Sequence, residues 1–470
     1  MTRHDMHLST PPDGSSSAAS APTVASPSAV ANASRKPLKF LLHCFSATGH
    51  VLPMQAVARE LVERGHEVVW TTVAPQASRV AASGARFVPA DEVLEVDARL
   101  EGADPKDMVE TAEVMFAGRL AAQVADVRRA LATFAPAEGG PDLVLNDALP
   151  QGVAALYELG EIPPYATLGV VPLYLPDIGP EPVQHAAQSA LGLLISRPQL
   201  VLPTINPDRE TLRLPPLKLT DTYAYSPFLH IQASCPSLEF QEGPEPILPQ
   251  AHYVGPLVTR LAGVGLGGGG GGVPAWWDDV VNATSVIGIT QGTFAMNPAS
   301  LIIPAIRALQ DLDDGRHLLV VPSKLADEIR ETMGVAQGGG SGLGANVRIA
   351  DWVPYDMLLP RCRVLVTNGG YGSVTQALSH GVPLVCAGTS EDKKDTAARV
   401  TWVGAGIDLK TDTPSVDQVR DAVRRVLDEA AFRDSAARIG RELNSLGGVK
   451  RACDLLEKAA IEQRVAKGGQ

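Results

Sequence analysis

At 470 residues the chain exceeds the usual size of a single hydrophobic core, so two domains are expected. Its 40 basic against 52 acidic residues give a net charge of −12, which argues against a nucleic-acid or anionic-membrane partner and leaves any anionic ligand to be held by local dipoles. The five cysteines, Cys44, Cys235, Cys362, Cys386 and Cys453, are scattered, odd in number and without C-x-x-C spacing, the usage of reduced core thiols in a cytoplasmic protein.

Residues 1–36 are rich in Ser, Ala, Pro and Thr, lack the apolar core of a signal peptide, and read as a disordered tail. Nowhere does an uninterrupted apolar stretch approach 18 residues, so no transmembrane segment is expected. Order begins with a buried strand at 37–45, then the loop Ser46-Ala47-Thr48-Gly49-His50. A helix to Arg64 follows, with Pro53 in its first turn and Gly65 ending it before the strand 67–72. This is a βαβ unit, and it sets His50 at the edge of a cleft, before a helix whose positive end favours neutral imidazole. A neutral imidazole there is a candidate general base. Leu143-Val144-Leu145-Asn146 is another buried strand, ending at Asp147 on the same side. A carboxylate there can fix the tautomer of a histidine or simply cap the strand end.

Alternating segments run to Gly255, so we place the first, Rossmann-like domain at 37–257. A Gly-rich linker follows at 258–274, and a second domain at 275–470 whose last helix is expected to pack back on the first. Within the linker, Gly263-Val264-Gly265-Leu266-Gly267-Gly268 matches a dinucleotide fingerprint, but no strand precedes it and no helix follows. The second domain opens with the strand 285–290 and the loop Gln291-Gly292-Thr293. The D-x-D spacing of Asp311-Leu312-Asp313 closes a helix and reads as surface, so no metal site is expected.

The stretch 351–393 is the most informative. Asp351-Trp352-Val353-Pro354-Tyr355 offers an aromatic on which a flat base can stack. Arg363-Val364-Leu365-Val366-Thr367 is a short β-branched run of the kind a parallel sheet buries on both faces. The turn Asn368-Gly369-Gly370-Tyr371-Gly372 leads into a helix beginning at Ser373 and stopping at His380-Gly381. Glycines at a helix N-terminus serve packing in many α/β proteins, yet they also present free N–H groups and the positive end of a dipole to a diphosphate. Downstream, Thr389-Ser390-Glu391-Asp392-Lys393 supplies polar groups suited to sugar hydroxyls.

This stretch resembles the donor signature of the family 1 glycosyltransferases, the UDP-glycosyltransferase superfamily, at Trp352, Pro354, Gly370, Ser373, Gly381, Val382, Pro383 and Asp392. Gly49-His50-Val51-Leu52-Pro53-Met54 resembles the family's acceptor-side motif, and the segment around Asp147 the one whose aspartate pairs with the base. The resemblance implies an α/β fold of the GT-B type, two facing Rossmann-like domains with a cleft between them. It implies His50 as general base oriented by Asp147, Trp352 and the Val353 backbone on the nucleotide base, and Gln376 at the ribose. The Gly370, Gly372 and Ser373 turn would hold the diphosphate, with Thr293 of the Gly292 loop closing over it, and Asp392 would hold the sugar. Four positions depart from the pattern: Gln376 stands where the family has a ribose-binding glutamate, Asn368 where it has a phosphate-binding histidine, Gly372 for the asparagine common in plant members, and Lys393 for the glutamine after the aspartate.

The expected activity is inverting transfer of a hexose, first choice glucose from UDP-glucose, to a hydroxyl of a small lipophilic acceptor such as a polyketide, phenol, flavonoid, sterol or terpenoid. The apolar region at about 169–236 suggests that acceptor class. No cofactor and no obligatory metal are expected. Other classes the pattern leaves open are a sugar-nucleotide epimerase, a lipid or cell-wall sugar transferase, and a silent nucleotide-sugar-binding protein.

Overall fold

A computed structural model describes residues 36–102, 118–135, 139–174, 198–219, 224–241, 248–258, 274–292, 297–334 and 343–468. The tail through residue 35, most of the linker and Thr293 lie outside the described residues.

The chain forms two parallel sheets. The first has β1 (Lys39–His43), β2 (Glu67–Thr72), β3 (Arg86–Pro89), β4 (Leu143–Asn146), β5 (Tyr165–Gly169), β6 (Leu229–Gln232) and β7 (Ala251–Tyr253), in the order β3-β2-β1-β4-β5-β6-β7. The second has β8 (Val286–Thr290), β9 (Leu318–Pro322), β10 (Val347–Ala350), β11 (Cys362–Thr367), β12 (Leu384–Cys386) and β13 (Gly406–Asp408), in the order β10-β9-β8-β11-β12-β13. In a doubly wound sheet the strand order reverses at one place, and ligands bind in the crevice at the carboxyl ends of the strands there. Here the reversals fall between β1 and β4 and between β8 and β11. The segments that follow these four strands carry His50, in the first turn of a helix, and Asp147, Gly292 and Asn368.

The central strands are largely apolar because helices cover both faces of each sheet. In the first, Leu41, Val69 and Val144 pack toward Leu120, Val124 and Val153. Phe40, Leu42 and Trp70 face the other way, toward Val51, Met54, Val57 and Leu61 of the helix Thr48–Glu63. In the second sheet, Ile287, Ile289, Val364 and Val366 meet Ile302, Ile306 and Val423, while Leu365, Leu384 and Cys386 meet Val374, Leu378 and Ile439.

Two helix starts differ from the sequence expectation. The first helix begins at Thr48, so His50 is its third residue and Pro53 lies inside it. As the sixth residue Pro53 stands in the second turn, where it forgoes one backbone hydrogen bond, the one to the Gly49 carbonyl. The helix Tyr371–Ser379 begins two residues before Ser373, with Gly370 as N-cap and no side-chain cap. Gly370 holds an extended backbone and its carbonyl accepts from the Ser373 and Val374 N–H groups, so a glycine starts the helix in place of a hydroxyl.

The last helix, Gly448–Gly468, lies against the first sheet: Ala452, Cys453, Leu456 and Ala460 join the core of Phe40 and Leu42. Its polar side is tied down as well. His66 and Arg64 bond Glu457 at 2.7 and 2.9 Å, and Arg464 bonds the Asp142 carboxylate and the Pro37 carbonyl. The two halves also meet where Gly255 packs on the helix Ala430–Ser445. A Cβ at Gly255 would sit 2.2 Å from the Leu443 carbonyl oxygen, so only glycine fits.

Candidate active site

The carboxyl end of β1 and that of β4 are neighbours because His43 is in register with Asn146. That pairing brings His50 and Asp147 together: His50 Nδ1 lies 2.7 Å from Asp147 Oδ2. Asp147 is 1 % exposed and also accepts the Phe45 backbone N–H at 3.0 Å. A carboxylate only accepts, so Nδ1 carries the hydrogen and Nε2 is the basic nitrogen. The Phe45 ring meets the imidazole edge-on at 5.1 Å, and the Arg119 guanidinium lies 4.4 Å over that ring. His43, by contrast, is fully buried with Nδ1 3.1 Å from the Thr71 carbonyl oxygen, a core residue.

Across the cleft, Asp392 is the N-cap of the helix Lys393–Trp402. Burial pushes its carboxyl up to about 6, opposed by a backbone hydrogen bond and then by the charge that His50 carries when protonated.

The second-sheet residues assemble at the β8/β11 reversal. Gly292 N–H donates to Asn368 Oδ1 at 3.0 Å, joining the loop after β8 to the turn after β11. Tyr355 Oη donates to Thr290 Oγ1 at 2.9 Å, so the loop after β10 reaches the same place. Trp352, half exposed at 49 %, stands beside Val353, which is buried at 1 % and anchors that loop. Nothing lies within 4 Å of a Cβ built at Gly370 or Gly372, so both glycines stand beside open space. Gln376 donates its amide to the Gly372 carbonyl at 3.0 Å, folded back along its own helix. Lys393 is turned inward and lines a small cavity beneath the turn.

Some residues that shape the cleft gave no signal in the sequence. Glu239, fully buried after β6, accepts from Arg399 Nε at 2.9 Å, from the Leu173 N–H at 3.0 Å and from the Tyr371 hydroxyl. Gln232 donates to the same Tyr371 hydroxyl at 2.7 Å, and Tyr174 donates to Asp395 at 3.1 Å. Burial, and then the adjacent Glu239 carboxylate, push the Tyr371 phenol well above its ordinary value, so it remains a donor. This network fixes one domain against the other directly behind the glycine turn. Its members lie up to 226 residues apart, and only the fold brings them together.

The C-terminal domain of the erythromycin biosynthesis protein CIII-like family matches residues 316–447. The chain is 34 % identical over 441 residues to 4'-demethylrebeccamycin synthase of Lentzea aerocolonigenes, covering 87 % of this chain and 96 % of that protein. The chain belongs to the family 1 glycosyltransferases. UDP-glucosyltransferase A1 of Starmerella bombicola is 30 % identical over 91 % of this chain and 93 % of its own length. The solved glycosyltransferase of kitacinnamycin superposes with a TM-score of 0.66 at 22 % identity, covering 90 % of this chain and 99 % of that one, which shows the GT-B fold. A family 1 glycosyltransferase joins a nucleotide-sugar donor to an acceptor, and each of the two sheets has one reversal point of the kind where ligands bind. No described helix of this glycosyltransferase is long and apolar enough to cross a membrane.

Replacing Trp352 by alanine is expected to weaken UDP binding roughly 10- to 100-fold, the cost of about 1–3 kcal/mol for a lost base-stacking surface. Calorimetry on the folded variant measures it. Unchanged affinity would place the base elsewhere.

Proposed function

We propose that the protein moves glucose from UDP-glucose, with inversion, to a hydroxyl of a small lipophilic acceptor in the cytoplasm. The observation that carries this is the His50–Asp147 pair at 2.7 Å, at the reversal point of one sheet and facing Asp392 of the donor-side loop. The name of the Starmerella bombicola relative supports the choice of UDP-glucose. The apolar composition of the region at about 169–236 supports a lipophilic acceptor.

In this mechanism the acceptor hydroxyl gives its proton to His50 Nε2 as its oxygen attacks the anomeric carbon. The bond from that carbon to the diphosphate oxygen breaks on the opposite face. Asp147 stabilises the imidazolium as it forms. The leaving diphosphate is received by the glycine turn and the Ser373 hydroxyl, with Trp352 holding the base and Asp392 accepting from sugar hydroxyls. These groups act as fixed dipoles and need no added metal.

Incubation with UDP-glucose and a panel of phenols and alcohols tests the reading. Glycoside and UDP in equal amounts are expected. Epimerised donor, or binding without turnover, would replace this reading by an isomerase or a binding protein.

A further inference from the structure

The carboxyl ends of β8, β11 and β12 enclose a cavity of about 170 Å³ lined by Gln291, Ser300, Asn368, Ser390, Lys393 and Asp412, with Leu301 and Ala387. Two of its polar groups point to a ligand. Asn368 is 5 % exposed, its Oδ1 is taken by the Gly292 N–H, and its Nδ2 has no hydrogen-bond partner. Because Gly292 can only donate, the amide cannot flip, and its NH₂ group must look for an acceptor. Lys393 is 7 % exposed and is the one cation among the lining residues.

The route of the Lys393 side chain is specific. A Cβ at Gly388 would fall 2.1 Å from the Asn368 carbonyl oxygen and 2.9 Å from Lys393 Cδ, so the glycine leaves the passage by which the lysine runs beneath Asn368. A Cβ at Gly369, in the turn itself, would lie 3.5 Å from the Lys393 carbonyl oxygen. Lys393 Nζ bonds Ser390 Oγ at 3.0 Å and pairs with the Glu391 carboxylate. Glu391 is exposed and holds a left-handed backbone with φ of 45°, a conformation a non-glycine residue keeps only when its surroundings demand it. Asp412 is committed elsewhere, accepting from the Thr389 N–H at 2.7 Å and from its hydroxyl.

An amide nitrogen with no partner and a buried cation thus stand under the same turn. We propose that Lys393 and the Asn368 amide together form the subsite for the donor's terminal phosphate oxygens, and that Glu391 occupies Lys393 until the donor displaces it. This rests on the nucleotide-sugar reading of the site and deepens it: the lysine serves the leaving group, and the sugar is left to Asp392. Burial brings the Lys393 ammonium down to about 8, with Asp412 opposing, and a phosphate is the kind of partner that keeps such a group charged.

The two members of the ion pair should therefore act in opposite directions. In calorimetric titrations with UDP, Lys393→Met is expected to lose roughly tenfold or more in affinity, the worth of a charge-assisted hydrogen bond. Glu391→Gln, at an exposed position, is expected to gain affinity several-fold by removing the competitor. Uridine, without phosphates, should bind both variants as it binds the wild type. Equal losses for UDP and uridine in Lys393→Met, or UDP affinity lowered or unchanged in Glu391→Gln, would overturn the proposal. If UDP binds normally to every variant while sugar preference changes in Lys393→Met, the lysine belongs to the sugar and the nucleotide-sugar reading stands without this subsite. Failure of the wild-type chain to bind UDP at all would remove both.

Discussion

Replacing His50 by alanine is expected to lower turnover on a weakly acidic alcohol by roughly 10²- to 10⁴-fold, the contribution of a positioned general base. The loss should appear in kcat, with UDP affinity little changed, because His50 stands on the first sheet's side, bonded to Asp147, while the proposed nucleotide site is built on the second sheet. A phenol of low pKa should suffer less, since it gives up its proton with less help. This dependence on acceptor acidity distinguishes a missing base from a distorted site, which would slow both acceptors alike. Steady-state kinetics with the two acceptors decides it, and near wild-type turnover on the alcohol would take His50 out of the mechanism.

The second large effect is on stability. Arg399 and Glu239 form a buried pair, 3 % and 0 % exposed, joining the two domains. Arg399→Leu leaves the Glu239 carboxylate buried with only the Leu173 N–H and the Tyr371 hydroxyl to answer it. Removing one partner of such a pair typically costs about 3–5 kcal/mol, because the remaining charge is uncompensated. Thermal melts should show a clear fall in Tm for Arg399→Leu and for Glu239→Leu. The double variant should recover part of it, since no orphan charge remains. Additive losses would mean that the two residues stabilise the domains independently. Because the Tyr371 hydroxyl bonds Glu239 and Tyr371 opens the helix after the glycine turn, both single variants are also expected to weaken UDP binding.

The parts of this molecule that can be read from its sequence are those where chemistry is local. β1, β4, β8 and β11 each have an apolar centre because they are covered on both faces, and the turns after β8 and β11 are marked by Gly292 and by Asn368 and Gly369. His50 and Asp147 are 97 residues apart, yet each sits at the end of a recognisable strand, so their meeting follows from the strand order. Both helices at the site start earlier than their residues suggest, because Pro53 and Ser373 look like first-turn residues while Ala47 and Gly370 are the N-caps. Glu239 and Arg399 are beyond the reach of sequence reasoning. One follows a short strand and the other lies on an otherwise ordinary helix, and a buried ion pair has no period or motif. Lys393 is legible as a departure from the family pattern, but that its side chain turns beneath Asn368 depends on Gly388, whose part only the fold shows.

The most direct test of the central claim, single displacement driven by His50, is the anomeric configuration of the product. UDP-glucose carries an α-linked sugar, and attack from the face opposite the diphosphate must produce a β-glycoside. Proton NMR of the reaction as it proceeds should show the β-anomer from the first turnover in the wild type, and the same anomer at a much reduced rate in His50→Ala. An α-glycoside as the first-formed product would mean that the diphosphate leaves by another route, and would contradict single displacement with His50 as the base and Asp147 as its partner.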